Sequence, residues 1–304
     1  MNINPNILNK LGPGVFTTSR VFALIVLIMI AISALSAQDY KTLEVTRIFK
    51  LDKKLAEISG ITYLENKIYA INDSGNKSEV YILDENDFDI DSSARINGAK
   101  NHDWEEICSY NNTLYIGDFG NNSGSRENLR IYKIPADSLS RKELEPGIIK
   151  FRYYHQDVSI LSAYRNHRWD CEAMVVNSIG IWLFSKDWED RICRLYFLKN
   201  QSESKVNIKA IDSLNLKYLV TGAFYDNVGG KLYLCGYEEN IIYLTVMQVD
   251  ENINFSGEYT SYIIPELKNT QVESVFVKEN VVYLASERTR FAQAVYKIVL
   301  PNFK

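Results

Sequence analysis

Ser59, Glu105, Glu172, Thr221 and Glu273 hold equivalent places in five look-alike segments. Ser59, Glu105, Glu172 and Glu273 each stand two residues before an aligned apolar residue: Ile61, Ile107, Met174 and Val275. In the fourth segment a one-residue slip leaves Thr221 or its neighbour Gly222 in that place. If the segments converge, three carboxylates meet in a narrow space, and they cannot all stay ionised without compensation. Either some are protonated or a cation sits among them. Oxygen-only ligands with two or three acids suit Ca2+. The alternative is that these acids cap strands or bind water. The cost of burying unpaired charge favours calcium.

A second polar layer follows each segment. Asn72-Asp73-Ser74-Gly75-Asn76 and Gly117-Asp118-Phe119-Gly120-Asn121 share a D-x-G-N pattern. Ser185-Lys186-Asp187, Gly236-Tyr237-Glu238 and Ser286-Glu287-Arg288 occupy the matching places. D-x-G-N is also a good tight turn. Asn72, Asp73, Asp118 and Asn121 are candidate binding residues. Lys186 and Arg288, with Arg126, are the bases available for an anion. Asp73, Asp118 or a ring glutamate is the candidate general base. His102, His155 and His167 form no zinc pattern. Cys108, Cys171, Cys193 and Cys235, separated by 63, 22 and 42 residues, match no metal or redox spacing and sit in apolar runs, as small buried side chains do.

These residues lie on short alternating runs separated by Asn, Asp and Gly clusters, a strand-and-turn pattern. Ile61 to Tyr69, Ile107 to Tyr115, Met174 to Trp182 and Val275 to Tyr283 are each eight apart; Phe224 to Tyr233 is nine. The steps between copies are 46, 67, 50 and 51 residues. A recurring unit of ~40–50 residues with four strands predicts a β-propeller. Two further runs follow most hairpins, among them 148–154 in the second unit and 206–211 in the third. After the fifth hairpin only 294–300 remains. The strand sum predicts five blades, with 43–51 completing the last one and closing the ring; a degenerate blade hidden in the long second unit makes six. Residues 135–146 read as an insertion.

The chain has 304 residues, 46% of them hydrophobic, enough for a real core. Residues 21–37 are uncharged and mostly apolar, follow Arg20 and end in small residues. This predicts a signal peptide over 1–37 and a propeller domain over 38–304. An uncleaved anchor is the alternative, and membrane contact is expected only through this segment. The expected location is periplasmic or extracellular. Without the leader, 32 basic and 38 acidic residues remain, net −6, which argues against a nucleic-acid partner.

The NDSGN, DWEEI and GDFGNN stretches resemble those of a group of exported bacterial propeller proteins. More remotely, residues 43–300 resemble the calcium-activated apyrases, nucleoside diphosphatases that are five-bladed propellers. Their blade order of Ser, Glu, Glu, Ser, Glu around a central Ca2+ is matched by Ser59, Glu105, Glu172, Thr221 and Glu273. The resemblance implies this fold, that metal and a phosphohydrolase activity, although Ser74 stands where the apyrases carry an arginine. Two readings follow. One is a binding propeller with a small-molecule or envelope ligand, using aromatics such as Trp104, Trp169, Trp188 and Tyr237. The other is a Ca2+-dependent nucleotide or phosphoester hydrolase. A quinone-dependent sugar dehydrogenase is third, lacking an obvious catalytic histidine.

N-terminal sequencing of the exported form should begin at Ala37 or Gln38; an intact leader in the membrane fraction would mean an anchor.

Overall fold

The structure, a computed structural model, describes residues 40–139, 145–156, 164–201 and 205–301. The expected leader, 1–37, lies outside them. Among the described residues no helix is long and apolar enough to cross a membrane.

The chain enters through β1 (Lys41–Thr42) and β2 (Val45–Lys50), then builds four-stranded antiparallel blades in sequence order. Blade 1 is β3 (Ile58–Leu64), β4 (Lys67–Asn72), β5 (Glu79–Leu83) and β6 (Ile90–Arg95). Blade 2 is β7 (Trp104–Tyr110), β8 (Thr113–Asp118), β9 (Leu129–Pro135) and β10 (Gly147–Tyr153). Blade 3 is β11 (Cys171–Val176), β12 (Ile181–Ser185) and β13 (Ile192–Leu198), followed by β14 (Val206–Ile208) and, as its outer strand, β15 (Ala210–Asn215). Blade 4 is β16 (Leu219–Asp226), β17 (Lys231–Glu238), β18 (Ile241–Gln248) and β19 (Tyr259–Ile263). Blade 5 is β20 (Gln271–Lys278), β21 (Val281–Glu287) and β22 (Ala294–Val299), completed by β2. The protein is a five-bladed β-propeller closed by its N-terminal strand.

The eight-residue spacing has a geometric source. The turns Glu65-Asn66, Asn111-Asn112 and Glu279-Asn280 have positive φ at both residues. They are two-residue hairpin loops of the kind whose twist matches the strands, and Asn tolerates that region well. Inner strands are buried almost throughout, and β11 has no exposed residue. The core lies between neighbouring blades: Ile61 and Phe276 share one cluster, and Tyr115 and Met174 another.

Two strand assignments differ from the sequence reading. The run 206–211 is divided: β14 adds in parallel to the edge of blade 2, and only β15 serves blade 3. The run 43–51 is likewise divided, because Leu43 packs into the core of blades 4 and 5 while Val45–Lys50 alone pairs with β22. After Pro135 the described residues form a 3-10 turn, Ala136–Ser138, and the chain is described again from 145 into β10; the rest of the expected insertion, 140–144, lies outside the described residues.

The closing strand buries Phe49 against Phe88, with ring centroids 4.7 Å apart, and leaves Ile48 62% exposed. Phe49→Ala should therefore cost about 3 kcal/mol in urea unfolding, and Ile48→Ala within about 0.5 kcal/mol. Equal effects would mean that β2 does not close the ring.

Candidate functional site

Every inner strand carries one residue too many for the strand beside it. The register with the second strand shifts between Ile58 and Gly60, Trp104 and Glu106, Cys171 and Ala173, Val220 and Gly222, and Val272 and Ser274. The residues skipped are Ser59, Glu105, Glu172, Thr221 and Glu273. A bulge leaves its extra residue out of the ladder and re-aims its side chain. Thr221, not Gly222, holds the position in blade 4.

The residues after the bulges are Gly60, Glu106, Ala173, Gly222 and Ser274, small in four blades of five. Crowding explains two of them. A Cβ on Gly60 would lie 2.6 Å from the Ile107 nitrogen, and one on Gly222 2.7 Å from Ser274 Cα. Glu106 fills the space they leave. Its Oε1 accepts from the Ile107 N–H at 3.0 Å and from Ser274 Oγ at 3.2 Å; its Oε2 accepts from the Ala223 N–H at 3.1 Å. This carboxyl ties blade 2 to blades 4 and 5. The sequence reading missed it, although it is the one large residue in a column of small ones.

Above this layer lies a cavity of about 50 Å³ whose walls include Ser59, Asp73, Glu105, Glu172, Glu273 and Glu287. Asp73, Asp103 and Glu105 offer carboxylate oxygens that all lie within 4.8 Å of one another. Asp73 comes from the end of β4, and Asp103 from the residue before β7. Gly120 abuts this group: a Cβ there would lie 1.9 Å from Glu105 Oε1. Glu172 is engaged differently, receiving a bond from Lys186 Nζ at 2.5 Å with both side chains buried. Ser59 and Thr221 donate their hydroxyl protons to the Trp104 and Val272 carbonyls, at 2.7 and 2.6 Å. Each bond ties its blade to the next and leaves the oxygen lone pairs free. Glu273 lines the cavity, and its buried Oε1 has no partner. Beside Lys186, the wall also includes Arg165, Asn122 and Gln271. They come from loops and a strand start where no repeat pointed.

Several residues of the second layer work elsewhere. Asp118 is fully buried, pairs with Arg126 and Arg130 and accepts from the Asp103 N–H at 3.1 Å, so it is not free to act as a base. Asn121 Nδ2 donates to the Trp169 carbonyl at 2.7 Å, hooking blade 2 to blade 3. Asn72 Nδ2 donates to the Lys54 carbonyl at 2.7 Å. Lys186, expected to bind an anion, is committed to Glu172 and lies over the rings of Trp188 and Tyr237. At the end of β21, Glu287 rather than Arg288 reaches the cavity, and Arg288 is exposed. Trp104 is wholly buried, with its Nε1 on the Lys100 carbonyl at 3.1 Å, and offers no docking surface. The four cysteines are free and buried.

The mouth is acidic beyond its means. Burial, then the charges of Asp73 and Asp170, push the Asp103 carboxyl up to about 7. Burial, then Glu273 and Asp73, push Glu287 up to about 8. Burial and the neighbouring acids hold Glu105 well above the carboxylate range, and burial raises Asp73. For Lys186 burial opposes charge, but Glu172 and the other acids outweigh it and keep the ammonium protonated. What remains is an oxygen-rich pocket that either takes up protons or holds a cation.

No protein-family model and no curated protein sequence matches the chain. Among solved structures, the PQQ-bound aldose sugar dehydrogenase from Streptomyces coelicolor is 9% identical, with 85% of this chain and 98% of that one covered and a TM-score of 0.48. A hypothetical protein from Leishmania major is 15% identical, with 90% and 94% covered and a TM-score of 0.46. A glucose dehydrogenase is 8% identical, with 84% and 100% covered and a TM-score of 0.47. These likenesses say nothing of the chemistry at the mouth.

Raised carboxyl pKa values mean that the folded, metal-free protein binds more protons than the unfolded chain. That stability is complete below about pH 4 and is lost as pH rises through about 7 and 8. With chelator present, the urea midpoint should fall steadily from about pH 5.5 to 8.5. A midpoint that stays level or rises would refute the shared burial of these acids.

Proposed function

We propose that the chain is an exported Ca2+-binding β-propeller whose channel mouth holds the ion and, with the surrounding rim, receives a ligand or envelope partner. The observation that carries this reading is the convergence of Asp73, Asp103 and Glu105 beside the orphaned oxygen of Glu273. The donor set is all oxygen, which suits a hard cation over zinc. A cavity of about 50 Å³ fits an ion with a water; an organic ligand would sit above it. Ca2+ takes six to eight oxygens in irregular geometry, which suits acids of unequal reach better than the strict octahedron of Mg2+. Asp73, Asp103, Glu105 and Glu273 are the proposed acidic ligands, with Ser59 Oγ offering a lone pair. Glu172 and Thr221 support from the same ring, Glu172 through its pair with Lys186.

A hydrolase would need a free base and cationic groups to offset transition-state charge. Asp118 is engaged and leaves Asp73 as the candidate base, but with Lys186 engaged as well, Arg165 is the one cationic side chain on the cavity wall not tied to a carboxylate there. This supports binding over hydrolysis. The resemblance to the apyrases keeps hydrolysis as the alternative. Nucleoside diphosphate hydrolysis that needs Ca2+ and disappears in Glu105→Gln would replace the binding reading.

An ion bound only by the folded state stabilises it by about 2.7 kcal/mol at 100 times its Kd, so Ca2+ at pH 8 should raise the melting temperature by about 5–10 °C. Glu105→Gln, which keeps shape and removes charge, should lose most of that gain. Gly120→Ala should do so too, because its methyl displaces the Glu105 carboxylate. Glu266→Gln, in the exposed 3-10 turn Pro265–Leu267 and not on the cavity wall, should keep it. Identical wild-type melting in Ca2+ and in chelator would refute the calcium site.

A further inference from the structure

The turn that carries Asp73 into the acidic mouth has a second side. Gly75 and Asn76 of the same turn line an open cleft of about 520 Å³ beside blade 1. Lys53 and Lys54, from the 3-10 turn Lys53–Leu55, line it as well, and Lys77 enters from the chain leading into β5. These three lysines are exposed, and no ion pair among the described residues involves them. The two acids in the cleft are already engaged. Glu57 Oε2 accepts from Asn76 Nδ2 at 2.6 Å. Glu79 accepts from Ser93 Oγ at 2.7 Å and from the Tyr81 hydroxyl at 3.4 Å. Three ammonium groups without an ion-pair partner among the described residues thus gather in one cleft of an acidic protein, outnumbering the two carboxylates, Glu57 and Glu79, that line it.

The size falls within the ~300–1,000 Å³ of small-ligand sites, but the walls are polar. Such walls reject a flat apolar ligand and suit one rich in hydroxyls. Glu57, Glu79 and the acidic mouth nearby repel a dense polyanion, whereas the lysines call for some negative charge. A ligand with spaced carboxylates on a polyhydroxyl frame meets both demands. We propose that this cleft binds an acidic saccharide, its carboxylates on Lys53, Lys54 and Lys77 and its hydroxyls on Asn76, Glu79 and Ser93. Binding here needs no metal, so it stands apart from the calcium reading of the mouth.

The test is calorimetric titration of the mature chain with trigalacturonate in the presence of chelator, beside neutral galactotriose and inorganic phosphate. The wild type should bind trigalacturonate with a Kd of about 1 mM or tighter, more weakly as salt is raised, and should ignore the other two. Replacing the three exposed lysines (Lys53→Gln, Lys54→Gln, Lys77→Gln) should weaken binding at least about tenfold with an unchanged circular dichroism spectrum. Glu105→Gln, which disables the mouth, should bind trigalacturonate like the wild type. The proposal is overturned if the wild type does not bind trigalacturonate, if the lysine variant binds it equally well, or if phosphate or galactotriose binds as tightly.

Discussion

One extra residue in each of five inner strands governs this molecule. A strand that matched its neighbour residue for residue would keep its side chains in the alternating pattern of the sheet. The bulges release Ser59, Glu105, Glu172, Thr221 and Glu273 from that alternation at equivalent places in five blades. Ser59, Glu105, Glu172 and Glu273 then line one small cavity, while Thr221 is tied to the Val272 carbonyl beside it. The same local geometry demands a small residue next in the chain, and Gly60 and Gly222 show the crowding that enforces it. Glu106 breaks that rule in one blade and gains a cross-channel tie to Ala223 and Ser274 in return.

Concentrated acid is the cost of this arrangement, and the protein offsets it unevenly. Lys186 neutralises Glu172 inside the ring. Arg126 and Arg130 neutralise Asp118 just outside it. Among the described residues no ion pair holds Asp73, Asp103 or Glu105, and Lys186 and Arg126 act on Asp73 and Asp103 only through space. An uncompensated cluster beside compensated acids is what a site for an external cation requires, because an internal base would compete with the ion. The Asn72–Asn76 turn joins this centre to the surface: Asp73 faces the acids while Asn76 faces the lysine cleft.

The blades and their closure were legible because hairpins leave a strong local trace. Asn in a two-residue turn and an aromatic eight residues after an aligned apolar position repeat whatever the neighbouring blade does. The bulge positions were legible as repeated places, though not as bulges, since register is a property of two strands. Choices among partners left no trace. That Lys186 turns inward to Glu172 and Glu287 displaces Arg288 from the mouth depends on packing between blades. Asp103 was visible in the DWEE stretch, but its closeness to Asp73 depends on how blade 1 meets blade 2. The division of 206–211 between blades 2 and 3 was hidden because both parts have the same strand-forming character.

The convergent acids form the proposed cation site. A crystal structure of residues 38–304 grown at pH 8 with Ca2+, with the ion located by anomalous scattering, is the measurement that decides it. One peak is expected in the cavity at the channel mouth, with carboxylate oxygens of Asp73, Asp103 and Glu105 at ~2.3–2.6 Å. A well-ordered mouth holding only water at millimolar Ca2+, or an ion bound elsewhere while these carboxylates keep their present contacts, would contradict it.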